Sequence, residues 1–471
     1  MPGLIPRAAL WLLCAAVLGG CGHIEHKPRG FAQHDRGAEP AADQPRRILI
    51  FFDGTANDEG SDTNVKRLHA LMTLQDRGDI ASLYVLGVGT NADPIGAITG
   101  AGINARVTLA YEFILNHYRP KTGTRAADEV HVYGFSRGAY AARILSTMLG
   151  VAGIAEENKR REAPRSLTSA EIARRVHAAT FPGFGQGPAD DTADRPRHVA
   201  QALQAAGLRQ VADSDQRIPV PVKILGLWDT VEALGAPDAL GGAKVNVDIP
   251  NPRYGERLCN VEHAFHAMSI DDNRATVFTP ILLSRAHLFR GCVPETSPML
   301  DAAGRIRAGH LQEVWFSGAH ADVGGGYLNG ALNGVSLNWM LRRIRAATQD
   351  LLPQHGQREE LKAETTRFVR QDVFGTSHDP TAGIWGFYPR VGRDLVQFAS
   401  DPRSVWAGTL CVHPSAITRR RVMGHAPHEY GQLPLTTIGP AGPAGSEAPL
   451  DVQAYPGCSF MDQPTPLGAA Q

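Results

Sequence analysis

A serine with glycine two residues to either side stands at Gly134-Phe135-Ser136-Arg137-Gly138. The apolar run Glu129–Tyr133 precedes it, and a helix-forming stretch from Gly138 to about Leu149 follows. A nucleophile at a sharp strand-to-helix turn requires this context. Glycine at the two flanking positions removes side chains that would obstruct neighbouring backbone, and a helix N-terminus favours developing negative charge. A serine hydroxyl is a weak nucleophile until a base takes its proton, and that base needs an acid to orient it. Downstream, the apolar run Lys223–Trp228 ends at Asp229-Thr230-Val231, and Glu313–Phe316 ends at Ser317-Gly318-Ala319-His320. Nucleophile, acid and base types therefore follow in the order Ser136, Asp229, His320, each just past a strand candidate. The chemistry this predicts is acyl transfer: hydroxyl attack on an ester, an acyl-enzyme, and hydrolysis by water. It calls for no metal and no organic cofactor.

Developing charge on the attacked carbonyl needs donors. The loop Asp53-Gly54-Thr55 follows an apolar run, so the backbone amides of Gly54 or Thr55 are candidates for an oxyanion hole together with that of Arg137. Competing histidines occur at His263 and His266, in a stretch read as helical, and are read as structural or substrate-facing. Those two histidines with Asp271 and Asp272 match no ligand spacing with a mechanical basis, so no metal site is expected. Asp322 is a further acid near the base. The run Gly324-Gly325-Gly326 allows close packing or positive φ but lacks the Lys-Ser/Thr of a phosphate-binding loop.

These residues need a scaffold that brings distant loops to one edge. Arg47–Phe52 and Leu83–Val88 are short apolar runs bounded by turn residues, as in strands buried on both faces. Helical patterns at Asn64–Leu74 and at about Ala105–His117 alternate with them. Strand alternating with helix predicts a mainly parallel sheet with helices on both faces, the α/β-hydrolase type of architecture. The sheet resumes at Val222–Leu227 and Leu311–Phe316, and Ser336 reads as the N-cap of a helix carrying Leu337, Met340, Leu341 and Ile344. Residues 155–218 break the rhythm and are read as a cap-like insertion over the sheet's C-terminal edge, where active sites of open parallel sheets lie. The chain has 471 residues, enough for one large domain, here 46–435, followed by an irregular tail over 436–471. Lys+Arg and Asp+Glu both number 47, so there is no basic footprint for nucleic acid.

The first residues read as a targeting segment. Arg7 precedes the apolar stretch Ala8–Val17, which is too short for a mature bilayer span of about 20 residues. Leu18-Gly19-Gly20-Cys21 then resembles a bacterial lipobox. Residues 1–20 are expected to be a lipoprotein signal peptide, Cys21 to be diacylated, and 21–45 to be a tether. A pair of acyl chains would anchor the protein stably. Gly22, and not Asp, follows the Cys, and the resemblance to lipoprotein sorting signals implies the outer membrane rather than the inner. Of the remaining cysteines, Cys259, Cys292, Cys411 and Cys458 admit three pairings in an oxidising compartment.

Several blocks recur together: Phe52-Asp53-Gly54-Thr55 with Thr63-Asn64-Val65, Gly134-Phe135-Ser136-Arg137-Gly138-Ala139, Trp228-Asp229-Thr230-Val231, Ser269-Ile270-Asp271-Asp272 with Arg274, and Gly318 through Tyr327. From about residue 46 to about 345 the chain resembles the α/β-hydrolase family that includes the catalytic domain of type VI secretion phospholipase effectors. A weaker echo at His413-Pro414-Ser415 would extend the likeness toward residue 430. The resemblance implies a Ser136–Asp229–His320 triad, ester hydrolysis, and phospholipid acyl esters as substrate. The lipobox departs from the secreted members and implies a resident enzyme of the cell envelope. The rival expectation is a non-catalytic envelope lipoprotein that uses the fold to bind a partner.

Overall fold

The computed structural model describes residues 31–35, 44–54, 62–74, 77–87, 102–158, 166–182, 194–231, 254–274, 278–327, 330–348, 351–352, 371–381, 390–405 and 410–423. Ten strands occur among them: β1 (Phe31–Asp35), β2 (Arg47–Phe52), β3 (Ile80–Val85), β4 (Glu129–Phe135), β5 (Ile154–Glu157), β6 (Leu208–Val211), β7 (Val222–Trp228), β8 (Val261–Ser269), β9 (Leu311–Phe316) and β10 (Cys411–Val412). The helices are α1 (Asn64–Thr73), α2 (Ile103–His117), α3 (Arg137–Val151), α4 (Ser169–Thr180), α5 (Arg195–Ala205), α6 (His320–Gly324), α7 (Asn333–Ala347), α8 (Leu395–Ser400) and α9 (Pro414–Met423). No helix among the described residues is long and apolar enough to cross a membrane.

The main sheet has eight strands in the order β1-β3-β2-β4-β7-β8-β9-β10. All its neighbours pair in parallel except β1, which lies antiparallel on β3. The fold is thus the mainly parallel α/β sheet that the alternating pattern predicts. The β2 sequence shows how the layers form. Ile48, Ile50 and Phe52 point into one core with Val107, Tyr111 and Ile114 of α2 and Ile144, Leu145 and Met148 of α3. Leu49 and Phe51 point into the other, with Val65 and Leu68 of α1 and Trp339, Met340 and Ile344 of α7. A strand with side chains alternating between two covered faces must be apolar throughout, as this one is.

Four expectations are corrected. The stretch holding His263 and His266 is not helical; it is β8, an interior strand of the sheet between β7 and β9. Its two histidines disguise a strand whose Val261, Ala264, Phe265, Ala267 and Met268 are buried. Within the segment read as a tether, Phe31–Asp35 forms the edge strand β1, in register from Phe31 with Val85 to Asp35 with Ala81. Residues 155–218, read as strandless and lying over the C-terminal edge, contain β5 and β6, which pair with each other. Their helices α4 and α5 bury Ile172, Val176, Val199 and Leu203 in the same core as α2 and α3, so the described part of the insertion thickens one helical layer. Ser336 lies one turn inside α7, not at its N-cap, and its hydroxyl donates to the carbonyl of Val323 (2.6 Å).

Candidate active site

Strand register decides which loops meet. Phe135 at the end of β4 pairs with Trp228 at the end of β7, and Trp228 pairs with Ala267 of β8. On the far side, Ser269 at the end of β8 pairs with Phe316 at the end of β9. The residues that follow, Ser136, Asp229 and His320, therefore emerge from one edge of four neighbouring strands. All three are buried.

Ser136 begins α3 with φ 60° and ψ −127°, and its side chain makes no capping bond to the helix. Such backbone is costly for a residue with a side chain and persists only where the surroundings enforce it. Here they do. A Cβ at Gly134 would lie 2.6 Å from the Ala139 Cα and the Gly138 carbonyl oxygen, and one at Gly138 would run into the carbonyls of Phe52 and Asp53. The turn is so tight that strand, helix and the β2 loop touch backbone to backbone. The Ser136 amide donates to the Trp228 carbonyl (2.9 Å), tying the serine to the strand that carries Asp229.

Asp229 also has a positive φ (39°). Its Oδ2 accepts from Nδ1 of His320 (2.5 Å). Its Oδ1 accepts from the Ser269 amide (2.9 Å) and its Oδ1 and Oδ2 accept from Nη1 (2.6 Å) and Nη2 (2.9 Å) of Arg393. Burial works to raise this carboxyl, but the Arg393 and His320 partners outweigh it and hold the group below the usual carboxylate range. An ionised carboxylate only accepts, so Nδ1 of His320 carries the ring proton and Nε2 of the neutral ring is left as an acceptor. Nε2 is buried with no hydrogen-bond partner among the described residues. The ring is held between Phe135 (4.6 Å between centroids) and Phe278 (5.0 Å), and burial pushes its pKa down against the upward pull of Asp229.

A second ion pair stands beside His320. Asp272 accepts from the His320 amide (3.2 Å) and is bound by Arg274 (2.7 Å), whose guanidinium lies 3.8 Å from the Phe278 ring centroid. Asp322 accepts from the Ala319 amide (3.0 Å) and pairs with His378 (2.6 Å), which stacks on Tyr327. Asp271 takes the Gly318 amide (2.6 Å), and burial pushes its carboxyl up to about 7.

The expected oxyanion donors divide. Arg137 is the first residue of α3, where main-chain amides have no partner within the helix. Its side chain is pushed down to about 9 by burial and by Arg106. The Gly54 amide is instead donated to Asp53 Oδ1 (2.6 Å). Asp53 also accepts from Thr63 Oγ1 (2.7 Å) and the Tyr84 hydroxyl, and burial pushes it up to about 6. Thr55 and Cys21 lie outside the described residues.

The histidines on β8 take separate roles. His263 stacks on His310 (4.2 Å), whereas His266 bonds through Nδ1 to Glu313 (2.9 Å) and through Nε2 to the amide of Thr230 (3.1 Å). His266 thereby holds the residue after Asp229. Cys259 is disulfide-bonded to Cys292, and Cys411 is disulfide-bonded as well. Arg393 escaped sequence reasoning altogether. It lies 164 residues from Asp229, in no motif, and only the folded chain brings them together.

The chain is 25% identical over 157 residues to the uncharacterized protein YEL023C of Saccharomyces cerevisiae, covering 28% of this chain and 21% of that protein. Among solved structures, an uncharacterized protein from Pseudomonas aeruginosa is 18% identical at a TM-score of 0.35, covering 68% of this chain and 48% of that one. The Tle1 effector bound to the VgrG spike of the type 6 secretion system is 16% identical at a TM-score of 0.28 (63% and 57% covered). An esterase of Thermogutta terrifontis is 12% identical at 0.32 (69% and 89% covered). The chain thus spans about half the length of the Pseudomonas chain and about a fifth of the yeast protein. Residues 46–343, well over half of the sequence, match the family described as the catalytic domain of the T6SS phospholipase effector Tle1-like proteins, and the chain belongs to that family.

Proposed function

We propose that the protein is a serine hydrolase of carboxylic esters, with phospholipid acyl esters as its substrate class. The observation that carries the reading is the Asp229–His320 contact at the sheet edge from which Ser136 also emerges in a strained turn. In the proposed reaction Ser136 Oγ attacks the acyl carbonyl while His320 Nε2 takes its proton. Asp229 holds the ring in the required tautomer and stabilises the imidazolium. The tetrahedral intermediate collapses, and the alcohol departs with the proton from Nε2. Water, deprotonated by the same nitrogen, then releases the fatty acid and restores Ser136. Backbone amides at the start of α3, that of Arg137 among them, support the oxyanion.

The reading is supported by the family match and by the residue order Ser, Asp, His along the chain. Ser136→Ala should reduce hydrolysis of p-nitrophenyl esters and of mixed phospholipid vesicles by about 10⁴-fold or more, with circular dichroism unchanged. Labelling by a fluorophosphonate probe should vanish with it; equal rates in variant and wild type refute the reading. We also propose that Cys21 carries acyl chains that hold the enzyme at the bacterial outer membrane, facing the periplasm, on the strength of the lipobox-like Leu18–Cys21. In the producing bacterium, Cys21→Ser should move the protein from salt-washed membranes to the soluble fraction. Retention in the membranes would exclude this anchor.

A further inference from the structure

Arg393 is one of the largest fully buried side chains of the protein. Its guanidinium meets both Asp229 oxygens, at 2.6 and 2.9 Å, and also donates to the Ser269 carbonyl (2.7 Å), the Ser269 hydroxyl (2.8 Å) and the Phe278 carbonyl (3.0 Å). A triad acid needs an orienting contact, which the Ser269 amide already supplies. A buried two-pronged arginine does more, because it fixes the plane of the carboxylate and adds a permanent charge in a water-poor site.

We propose that Arg393 is a positioning residue of the triad: it clamps the Asp229 carboxylate against His320 and balances the acid's charge beside the base. The inference rests on the triad assignment made above. The groups around His320 explain why the charge matters. From the turn after β7 comes Asp229, and from the turn after β8 come Asp271, Asp272 and Arg274. Its own helix α6 contributes Asp322, which is paired with His378. The segment before α8 contributes Arg393. Asp229 and Asp272, the two carboxylates bonded to His320, each have an arginine of their own. Asp271 is held toward its neutral form by burial. The two carboxylates that touch His320 are therefore each balanced by an arginine. A lone carboxylate would stabilise the imidazolium before substrate arrives and trap the base in its protonated form at mildly acid pH. Burial, helped by Arg274, lowers the pKa of the ring against the pull of Asp229 and Asp272, and Arg393 bound to both Asp229 oxygens weakens the pull of that carboxylate, so the ring stays neutral and able to accept a proton. Burial opposes the charge on Arg393, yet Asp229 and Asp272 keep it cationic.

The test uses the full-length enzyme and a soluble ester, with kcat, KM and the pH profile of kcat/KM measured together. In the wild type the acid limb should fall below the free imidazole value of about 6.5. Arg393→Gln should lower kcat by roughly tenfold to a hundredfold with little change in KM, since a slight misplacement of a catalytic group costs that much. It should also move the acid limb upward by about one pH unit. Arg393→Lys keeps the charge but not the two-pronged grip, so it should restore the limb and only part of kcat. A wild-type limb at or above about 6.5 overturns the charge role without any variant. A folded Arg393→Gln with wild-type kcat and limb overturns the whole inference, and should that variant not fold, wild-type kcat in Arg393→Lys overturns the clamp. Should the wild type fail to react with the fluorophosphonate probe, the triad assignment fails instead.

Discussion

Ser136 and Asp229 both occupy backbone conformations that side-chain-bearing residues avoid, and they follow the ends of the neighbouring strands β4 and β7. Their strain is opposed by close contact: the glycines of the serine turn let α3 begin against the carbonyls of Phe52 and Asp53. Asp53 ties this arrangement together, gathering Gly54, Thr63 and Tyr84 around one buried carboxyl. Burial pushes that carboxyl up to about 6, above its ordinary 3.8. Between these two values the folded protein holds a proton that the unfolded chain has lost, so this group's stabilisation is complete below about pH 4 and fades as the pH rises through about 6. Asp53→Asn removes the titration. Its unfolding free energy relative to wild type should therefore improve by about 2–3 kcal/mol between pH 4 and pH 7, a change that urea titrations at the two pH values measure. No change across that range would place the Asp53 titration elsewhere.

At the scale of elements, β8 links the Asp229 turn to the rest of the sheet. His266 on β8 and Glu313 on β9 form a buried pair, and through the Thr230 amide they support the turn that presents Asp229. Glu313 also accepts from the Leu283 amide (2.5 Å) and the Ser284 hydroxyl (2.8 Å). Removing the carboxylate leaves several buried donors without an acceptor. Glu313→Ala should cost about 3–5 kcal/mol in chemical denaturation, with the larger loss of activity expected at temperatures well below the new Tm. A cost under 1 kcal/mol would mean that water or rearrangement satisfies those donors. The disulfide Cys259–Cys292 ties the chain two residues before β8 to the loop that returns toward β9, which restricts the same region of the unfolded chain.

At the scale of the molecule, residues beyond the family segment are built into the site. β10 adds a parallel strand beside β9, and Leu395, Phe398, Leu410 and Val412 cover Met268, Ile270 and Trp315. His378 binds Asp322, and Arg393 binds Asp229. A chain ended after residue 347 would expose that apolar cluster and leave Asp229 without its arginine. Expressed alone, it should be insoluble or should fail to react with a fluorophosphonate probe, as pull-down after labelling would report. Normal labelling of a soluble truncated chain would show that the family segment suffices.

Much of this was legible in the residues. The strands β2, β4, β7 and β9 each end in an apolar run buried on both faces, and runs of that kind stand out. Ser136, Asp229 and His320 each follow a strand candidate, so local pattern alone singles out these three positions at strand ends. β8 was hidden because its histidines break the apolar run, and they are tolerated only through partners on other elements, Glu313 and His310. The Phe31–Asp35 strand gains its place from an edge that β3 offers. By itself, the sequence determined the parallel layered architecture and the three residue types at strand ends, since both follow from periodicity over a few neighbouring positions. Only the tertiary structure decided which strands adjoin, where the insertion packs, and that Arg393 meets Asp229 across 164 residues, because such contacts depend on chain closure and leave no local pattern.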